Sequence, residues 1–214
     1  MIIILMGPPG GGKGSQAKVL KTHFQIPHIS TGDMFRENIK NETMLGRKVK
    51  AILAAGELVP DSLTDELVLD RLSQPDAKGG FILDGYPRNL AQAVELDRIL
   101  AKLGFKITKV VNIDASDELI VTRLAGRRVC PKCGETYHIP NMPPKQAGIC
   151  DKCSAEIVQR ADDQESTIRA RLALYHENSR PIEQFYEDKG LFCTVDGNVS
   201  IEHTKAQIIE VLNK

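Results

Sequence analysis

The chain has 214 residues, which is long enough for one globular domain with an inserted lobe but short for two independent domains. Hydrophobic residues make up 42% and charged residues 26% of the sequence, which excludes a disordered, collagen-like or membrane-embedded protein. The 28 basic and 28 acidic residues balance, so overall charge attracts neither nucleic acid nor acidic lipid, and any anion site must be local.

Strands and helices alternate along most of the chain. Residues 2–5 form an unbroken apolar run rich in isoleucine, which indicates a strand buried on both faces of a parallel sheet. In chain order, the predicted elements are a strand at 2–5, a helix at 13–24, a strand at 26–29, helices at 34–53 and 61–72, a strand at 81–84, a helix at 89–103, a strand at 107–113, helices at 116–125 and 168–186, a strand at 191–195 and a helix at 201–212. The sequence therefore predicts an α/β fold with helices covering a parallel sheet.

The segment 126–163 interrupts this alternation, because prolines, glycines and paired cysteines replace the periodic pattern. Cys130, Cys133, Cys150 and Cys153 form two C-x₂-C pairs separated by 16 residues. This spacing predicts a closed four-thiolate zinc site with a structural role. The metal would replace the core that so small a lobe lacks.

A phosphate-binding loop is predicted directly after the first strand. Gly7 and Gly12 bracket four residues and Lys13 follows, so backbone N–H groups and the start of a helix can converge on phosphate oxygens. Gly14 stands where the general pattern has Ser or Thr, and Ser15 comes one position later. We therefore expect Mg²⁺ to be held mainly by phosphates and water.

Arginines and one aspartate complete the candidate phosphate site. Asp84 ends a buried strand and Arg88 follows four residues later, at the edge where open α/β sheets bind ligands. Asp84 would orient Mg²⁺ or its waters. Guanidinium groups bind phosphate oxygens bidentately, so several of them indicate two polyphosphate ligands. The candidates are Arg36, Arg88, Arg123, Arg127, Arg160 and Arg171.

The sequence resembles the adenylate kinases over essentially its whole length. Four stretches carry the resemblance in order and spacing: 7–15 (GPPGGGKGS), 30–36 (STGDMFR), 84–88 (DGYPR) and 126–128 (GRR). The cysteine-bearing segment is similar to the long lid of the zinc-containing bacterial type. The resemblance implies reversible in-line transfer of the terminal phosphoryl group of Mg·ATP to AMP, giving two ADP without a covalent intermediate.

The resemblance also implies a three-layer P-loop fold with a parallel central sheet, a helical arm for AMP and a small zinc-ribbon-like lid that closes. The expected core comprises residues 1–29, 60–125 and 164–214, the AMP-binding arm residues 30–59, and the lid residues 126–163.

Site residues follow from the matching motifs. The residues implied for ATP are Gly10, Gly11, Gly12, Lys13, Gly14, Ser15, Arg123, Arg127, Thr136, Tyr137 and Val199. Those implied for AMP are Thr31, Arg36, Glu57, Leu58, Val59, Gly85, Tyr86, Pro87, Arg88, Gln92, Arg160 and Arg171. The residues implied for catalysis are Lys13, Asp84, Arg88, Arg127, Arg160 and Arg171.

The implied ligands are ATP, AMP and ADP, with catalytic Mg²⁺ carried by ATP and structural Zn²⁺ in the lid. The acceptor phosphate oxygen is already anionic, so we expect no general base and read the histidines as non-catalytic; they are His23, His28, His138, His176 and His203. The N-terminal apolar run lacks the marks of a signal peptide, so we expect a cytoplasmic chain. The resemblance implies a monomer, and from the balanced charge we expect no membrane or nucleic-acid partner.

Two alternatives stay open at this point. A kinase of the same fold could use another nucleotide, with UMP or CMP as acceptor or GTP as donor, although Thr31 and Gln92 favour AMP by resemblance. The more distant alternative is a zinc-ribbon ATPase that binds nucleic acid. Segment 126–163 has six basic and five acidic residues, and four thiolates with Zn²⁺ bring its charge to about −1, whereas a nucleic-acid reader should be basic.

Overall fold

The computed structural model describes residues 1–213, which form a five-stranded parallel sheet, flanking helices and a separate two-stranded hairpin. The strands are β1 (Ile2–Met6), β2 (His28–Ser30), β3 (Phe81–Asp84), β4 (Lys109–Asp114), β5 (Arg127–Val129), β6 (Thr136–His138) and β7 (Phe192–Asp196). The helices are α1 (Lys13–Phe24), α2 (Thr31–Lys40), α3 (Met44–Ala55), α4 (Asp61–Leu72), α5 (Leu90–Leu103), α6 (Asp117–Ala125), α7 (Glu165–Glu187) and α8 (Ile201–Leu212).

The central sheet has the strand order β2-β3-β1-β4-β7, and all of its pairs are parallel. β1 is the central strand, and its successive side chains pack into two hydrophobic clusters on opposite faces of the sheet. Ile2 and Ile4 pack in the cluster that includes residues of α5 and α7, whereas Ile3 and Leu5 pack with residues of α1 and α8. The unbroken apolar run of β1 therefore reflects burial on both faces, as predicted.

One predicted helix is wrong, because the stretch 34–53 is divided between α2 and α3. Glu42 adopts a left-handed conformation with φ of 51°, and Thr43 then caps α3 by accepting a hydrogen bond from the Gly46 N–H at 3.0 Å. A side chain at Gly46 would overlap the Asn38 carbonyl, so the two helices approach closely at this glycine. The apolar spacing continues across the break between α2 and α3, so hydrophobic periodicity alone does not reveal that the helix ends there.

The segment 126–163 forms a small lobe built on the antiparallel pair β5 and β6. Its buried cluster consists of Cys130, Tyr137, Cys150 and Ile157. This core is too small to order a lobe of nearly forty residues by apolar burial alone. Across residues 1–213, no helix combines the length and the apolar character that crossing a membrane requires.

Candidate active site

The loop between β1 and α1 has the backbone geometry of a phosphate cradle. Gly10 and Gly12 have φ values of 82° and 102°, a region that side chains disfavour. A side chain at Gly10 would also lie 2.8 Å from Leu124 Cγ of α6. Gly12 stands at the N-cap of α1, so the unpaired N–H groups of the first turn face the loop.

Lys13 folds back over this loop. Its Nζ donates to the carbonyl oxygens of Gly7 at 2.7 Å and Pro8 at 2.8 Å. Burial in the cleft lowers the pKa of Lys13 to about 8, partly offset by the negative charge of Asp84. The positive charges of Arg88, Arg171 and Arg127 contribute to the same lowering. Lys13 is thus held within a cationic cluster that an anionic ligand would stabilise.

Asp84 stands at the carboxyl end of β3, beside the phosphate loop. Its Oδ2 atom lies 3.3 Å from His28 Nε2, and both side chains are largely buried. The same oxygen faces Gly14 at the start of α1. An acidic oxygen at this place suits the water shell of a divalent cation bound to phosphates.

The loop after β3 and the start of α2 form one wall of the cleft. Thr31 donates its hydroxyl to the Gly85 carbonyl at 2.8 Å, and Arg88 Nε donates to the same oxygen at 2.7 Å. Arg88 remains accessible to solvent, yet the surrounding protein lowers its pKa to about 10, with Arg171 contributing repulsion. Arg36 forms an ion pair with Asp33 at 2.5 Å.

Gln92 links that wall to α4. Its side chain accepts from the Arg88 backbone N–H at 2.8 Å and donates to Asp61 at 2.7 Å. Tyr86 is buried and donates its hydroxyl to Asp65 at 2.6 Å. These contacts fix the backbone that presents Arg88, and only part of Gln92 stays available for a ligand.

Carboxylates hold two of the candidate arginines. Arg127 donates two hydrogen bonds to Asp163, at 2.8 and 2.5 Å, and Asp163 is fully buried. Arg171 pairs with Asp162 at 2.8 Å. Sequence reasoning did not assign roles to these two aspartates, although adjacent acidic residues next to the arginines were the available signal. Paired guanidiniums are positioned before a ligand arrives.

Arg160 and Arg123 differ from this pair, because within residues 1–213 no partner accepts a hydrogen bond from either guanidinium. The pKa of Arg160 is lowered to about 10, chiefly by burial and in addition by the charges of Arg36 and Arg127. Arg123 has a pKa lowered by burial alone. Both groups are therefore available to an anion. Arg160 belongs to the segment 126–163, and its charge interacts with that of Arg36 in α2.

The remaining predicted residues lie in two loops, one after α3 and one before α8. Glu57 and Leu58 follow α3, with Glu57 exposed and Val59 buried in the core of the arm. Val199 is exposed in the loop before α8. Gln16 of α1 fixes the end of that loop by donating to the Ile201 carbonyl at 2.8 Å.

The lid places Thr136 and Tyr137 differently. Thr136 is partly exposed at the start of β6, whereas Tyr137 points into the buried cluster of the lobe. The lid also contacts two other parts of the molecule. Glu135 pairs with Lys18 of α1 at 3.5 Å, and the Lys132 carbonyl accepts from Lys40 of α2 at 3.3 Å.

The four lid cysteines fit a tetrahedral metal. Their Sγ atoms all lie within 4.8 Å of one another, and Zn–S bonds of 2.3 Å would give S···S separations of about 3.8 Å. The two pairs have the same backbone hydrogen bonds: Gly134 N–H to Cys130 O and Ser154 N–H to Cys150 O, both at 2.9 Å. The hydroxyl of Tyr137 lowers the pKa of Cys150 to about 6, which favours its thiolate.

Comparison with known proteins agrees with this geometry. The family model described as Adenylate kinase matches residues 5–191. The adenylate kinase of Finegoldia magna is 51% identical over 214 residues, covering all of both chains. That of Symbiobacterium thermophilum is 51% identical, covering 99% of this chain and 98% of the relative, and that of Caldicellulosiruptor saccharolyticus is 48% identical, covering 99% of each. Since the matched residues include both the phosphate loop and the cysteine-bearing lid, the chain belongs to the adenylate kinase family.

Proposed function

We propose that this protein catalyses the reversible transfer of the terminal phosphoryl group of Mg·ATP to AMP, giving two ADP. One observation supports this most strongly: Lys13 interacts electrostatically with Asp84, Arg88, Arg127 and Arg171, which come from four separate segments. Such convergence on a phosphate loop suits a reaction that concentrates negative charge at one point.

The donor site is proposed on the phosphate loop and the lid. Backbone N–H groups of residues 10–15 would bind the ATP phosphates, and Lys13 would exchange its two carbonyl partners for phosphate oxygens. Arg123, Arg127, Thr136 and Val199 would contact the nucleotide. The Tyr137 side chain is directed into the lid, so we assign its contact to the backbone.

The acceptor site is proposed on the opposite wall. Thr31, Arg36, the segment 57–59, the segment 85–88 and Gln92 would hold AMP, with Arg160 and Arg171 between the two nucleotides. The acceptor oxygen needs no base, because it is already ionised. The arginines would neutralise charge as it spreads over the transferred group, and the closed lid would exclude water that could otherwise hydrolyse ATP.

Two metals belong to the proposal. Mg²⁺ carried by ATP would supply charge neutralisation between the phosphates, and Asp84 would orient its waters. Zn²⁺ would bind the four lid cysteines in a structural role. We further propose the division into a core, an arm at 30–59 and a lid at 126–163, and a monomer in the cytoplasm without nucleic-acid or membrane partners.

Two substitutions test the site. Lys13→Met and Arg88→Ala should each lower turnover at least about tenfold while the protein stays folded, since one transition-state arginine can contribute roughly 10³ in rate. Arg169→Ala is the control, because Arg169 is an exposed residue of α7 paired only with Glu165. Near-normal turnover of both site variants would overturn the assignment.

Substrate identity needs a separate assay. Coupled turnover with AMP, UMP, CMP and GMP, each with ATP or GTP, should be fastest for ATP with AMP. Faster reaction with a pyrimidine acceptor, or with GTP as donor, would leave the assignment of the phosphoryl-transfer site intact. It would contradict the proposed identity of the nucleotide substrates.

A further inference from the structure

Tyr137 lies in the middle of β6, and its side chain is buried in the small core of the lid. Its side chain is only 6% exposed and packs with Cys130, Cys150 and Ile157. A buried tyrosine normally finds a partner for its hydroxyl, and this one finds two.

The hydroxyl lies between a ligand sulfur and the following peptide. Its oxygen accepts from the Asp151 backbone N–H at 2.8 Å, and it lies 3.4 Å from Cys150 Sγ as a donor. A thiolate bound to metal has no proton and can only accept. The phenolic proton is therefore directed at the sulfur. Among residues 1–213, no other side chain except cysteine is within hydrogen-bonding distance of a ligand sulfur.

The position of Tyr137 in the hairpin gives this contact a second consequence. β6 pairs with β5 so that Tyr137 stands opposite Arg128, and the next pair joins Arg127 to His138. Because side chains alternate along a strand, Tyr137 faces the cysteines while its neighbours face away. One hydroxyl thus connects the metal site to the strand pair that carries Arg127.

We propose that Tyr137 is a positioning residue for the lid metal: its hydroxyl holds the Cys150 thiolate in place from outside the ligand set. Such outer hydrogen bonds orient ligands and offset the charge that four thiolates place on one Zn²⁺ ion. The inference rests on the zinc site proposed above and is independent of the nucleotide assignments.

Zinc release to a chromogenic chelator tests the proposal. Tyr137→Phe keeps the ring and removes the hydroxyl, and it should release zinc about tenfold faster than the unmodified protein, since loss of an outer partner typically weakens metal binding 10–100-fold. Tyr175→Phe is the matched control, because Tyr175 donates to Asn112 outside the lid and should leave release unchanged. Equal rates for Tyr137→Phe and the unmodified protein would overturn the proposal.

Cobalt substitution provides a spectroscopic measurement that responds to the hydrogen bond on the sulfur and not to side-chain packing. In the Co²⁺-loaded protein, loss of a hydrogen bond makes the sulfur more electron-rich, so Tyr137→Phe should shift the sulfur-to-cobalt charge-transfer band to lower energy. Tyr137→Leu removes both the ring and the hydroxyl, so comparing it with Tyr137→Phe distinguishes the effect of packing from that of the hydrogen bond. Fast release in Tyr137→Leu with normal release in Tyr137→Phe would assign the effect to packing and reject the proposal. Failure of the unmodified protein to bind one zinc would instead reject the zinc site itself.

Discussion

Charge at single residues determines how the cleft responds to pH. Burial and neighbouring arginines lower the pKa of Lys13 from 10.5 to about 8. Between these values the unfolded chain binds more protons than the folded one, so the unfavourable contribution of Lys13 to stability declines as pH rises through that window. Bound phosphates act in the opposite direction and favour the charged lysine.

ATP binding should therefore take up protons near pH 8. Half of the Lys13 side chains are neutral at that pH, so we expect uptake of about 0.5 proton per ATP. Calorimetric titration in two buffers of different ionisation enthalpy measures this quantity. Lys13→Arg keeps its charge and should show almost no uptake. The prediction is wrong if both proteins take up equal amounts.

Backbone conformation at one glycine of the lid gives a second prediction at this scale. Gly134 has φ of 75° and open space where a side chain would lie, so Gly134→Ala should destabilise the lid by about 1 kcal/mol through conformation alone. Gly79→Ala is the control, because Gly79 has the same open space without a positive φ. Thermal unfolding checks both variants, and equal shifts would contradict the prediction.

The candidate site residues were easier to predict from the sequence than the residues that hold them in place. Lys13, Asp84 and the arginines carry a chemical type that phosphate or magnesium requires, so pattern and resemblance pointed to them. Asp163 was missed, because a buried acid is recognised only when its partner Arg127 is seen beside it. The direction of the Tyr137 side chain likewise depended on hairpin register, which the sequence does not specify.

At the scale of elements, the two cysteine turns of the lid are built alike. Each places its first cysteine N–H on a carbonyl five residues later, Cys130 on Glu135 and Cys150 on Ala155, both at 2.8 Å. The turns can preform from local hydrogen bonds. The Glu135–Lys152 ion pair at 3.7 Å and the small buried cluster join them, and a shared metal would add strong bonds to the few apolar contacts of the lobe.

Removing one thiolate should loosen the lid more than it alters the chemistry. Cys130→Ser is expected to lose zinc and to lower the unfolding midpoint by at least about 5 °C, the shift that ~1 kcal/mol produces in a small domain. Turnover at moderate temperature should change less. Cys193→Ser is the control, since Cys193 lies in β7 outside the lid. Metal analysis should find one zinc per chain in the control, and full zinc content in Cys130→Ser would refute the ligand set.

Helices and strands were predicted correctly from the sequence where the buried apolar residues recur at a regular spacing. The bounds of α1, α4, β3 and α8 match the predicted ranges. The predicted helix at 34–53 was wrong, because the close approach of α2 and α3 at Gly46 is a tertiary contact, and the Thr43 cap is a weak local signal within an apolar pattern. The β5–β6 hairpin was not predicted, since its strands are only three residues long.

For the whole molecule, the first cysteine turn of the lid contacts both the core and the arm. Glu135 reaches Lys18 of α1, and the Lys132 carbonyl reaches Lys40 of α2. The lid segment therefore contacts α1 and α2 through polar groups that are partly exposed. Contacts of this kind are weak, as the proposed opening and closing of the lid requires.

Neutralising Glu135 should weaken this closure slightly. For Glu135→Gln we expect the KM for ATP to rise by up to about fivefold, because an exposed pair contributes at most ~1 kcal/mol. The difference from the unmodified protein should vanish near 1 M salt, where screening acts over about 3 Å. Glu156→Gln, an exposed lid variant, should behave normally. A rise in KM that persists in high salt would show that charge is not the cause.

The central place of β1 in the sheet has a consequence for the reverse reaction. Thr31 and Arg88 follow β2 and β3 on one side of it, while Arg123 and Val199 follow β4 and β7 on the other. In the proposed reaction run in reverse, the two reacting ADP molecules have the same covalent structure, so their bases and phosphates do not distinguish donor from acceptor. With the sites as proposed, the strand order makes that distinction, because each molecule would take its role from the side of β1 on which it binds.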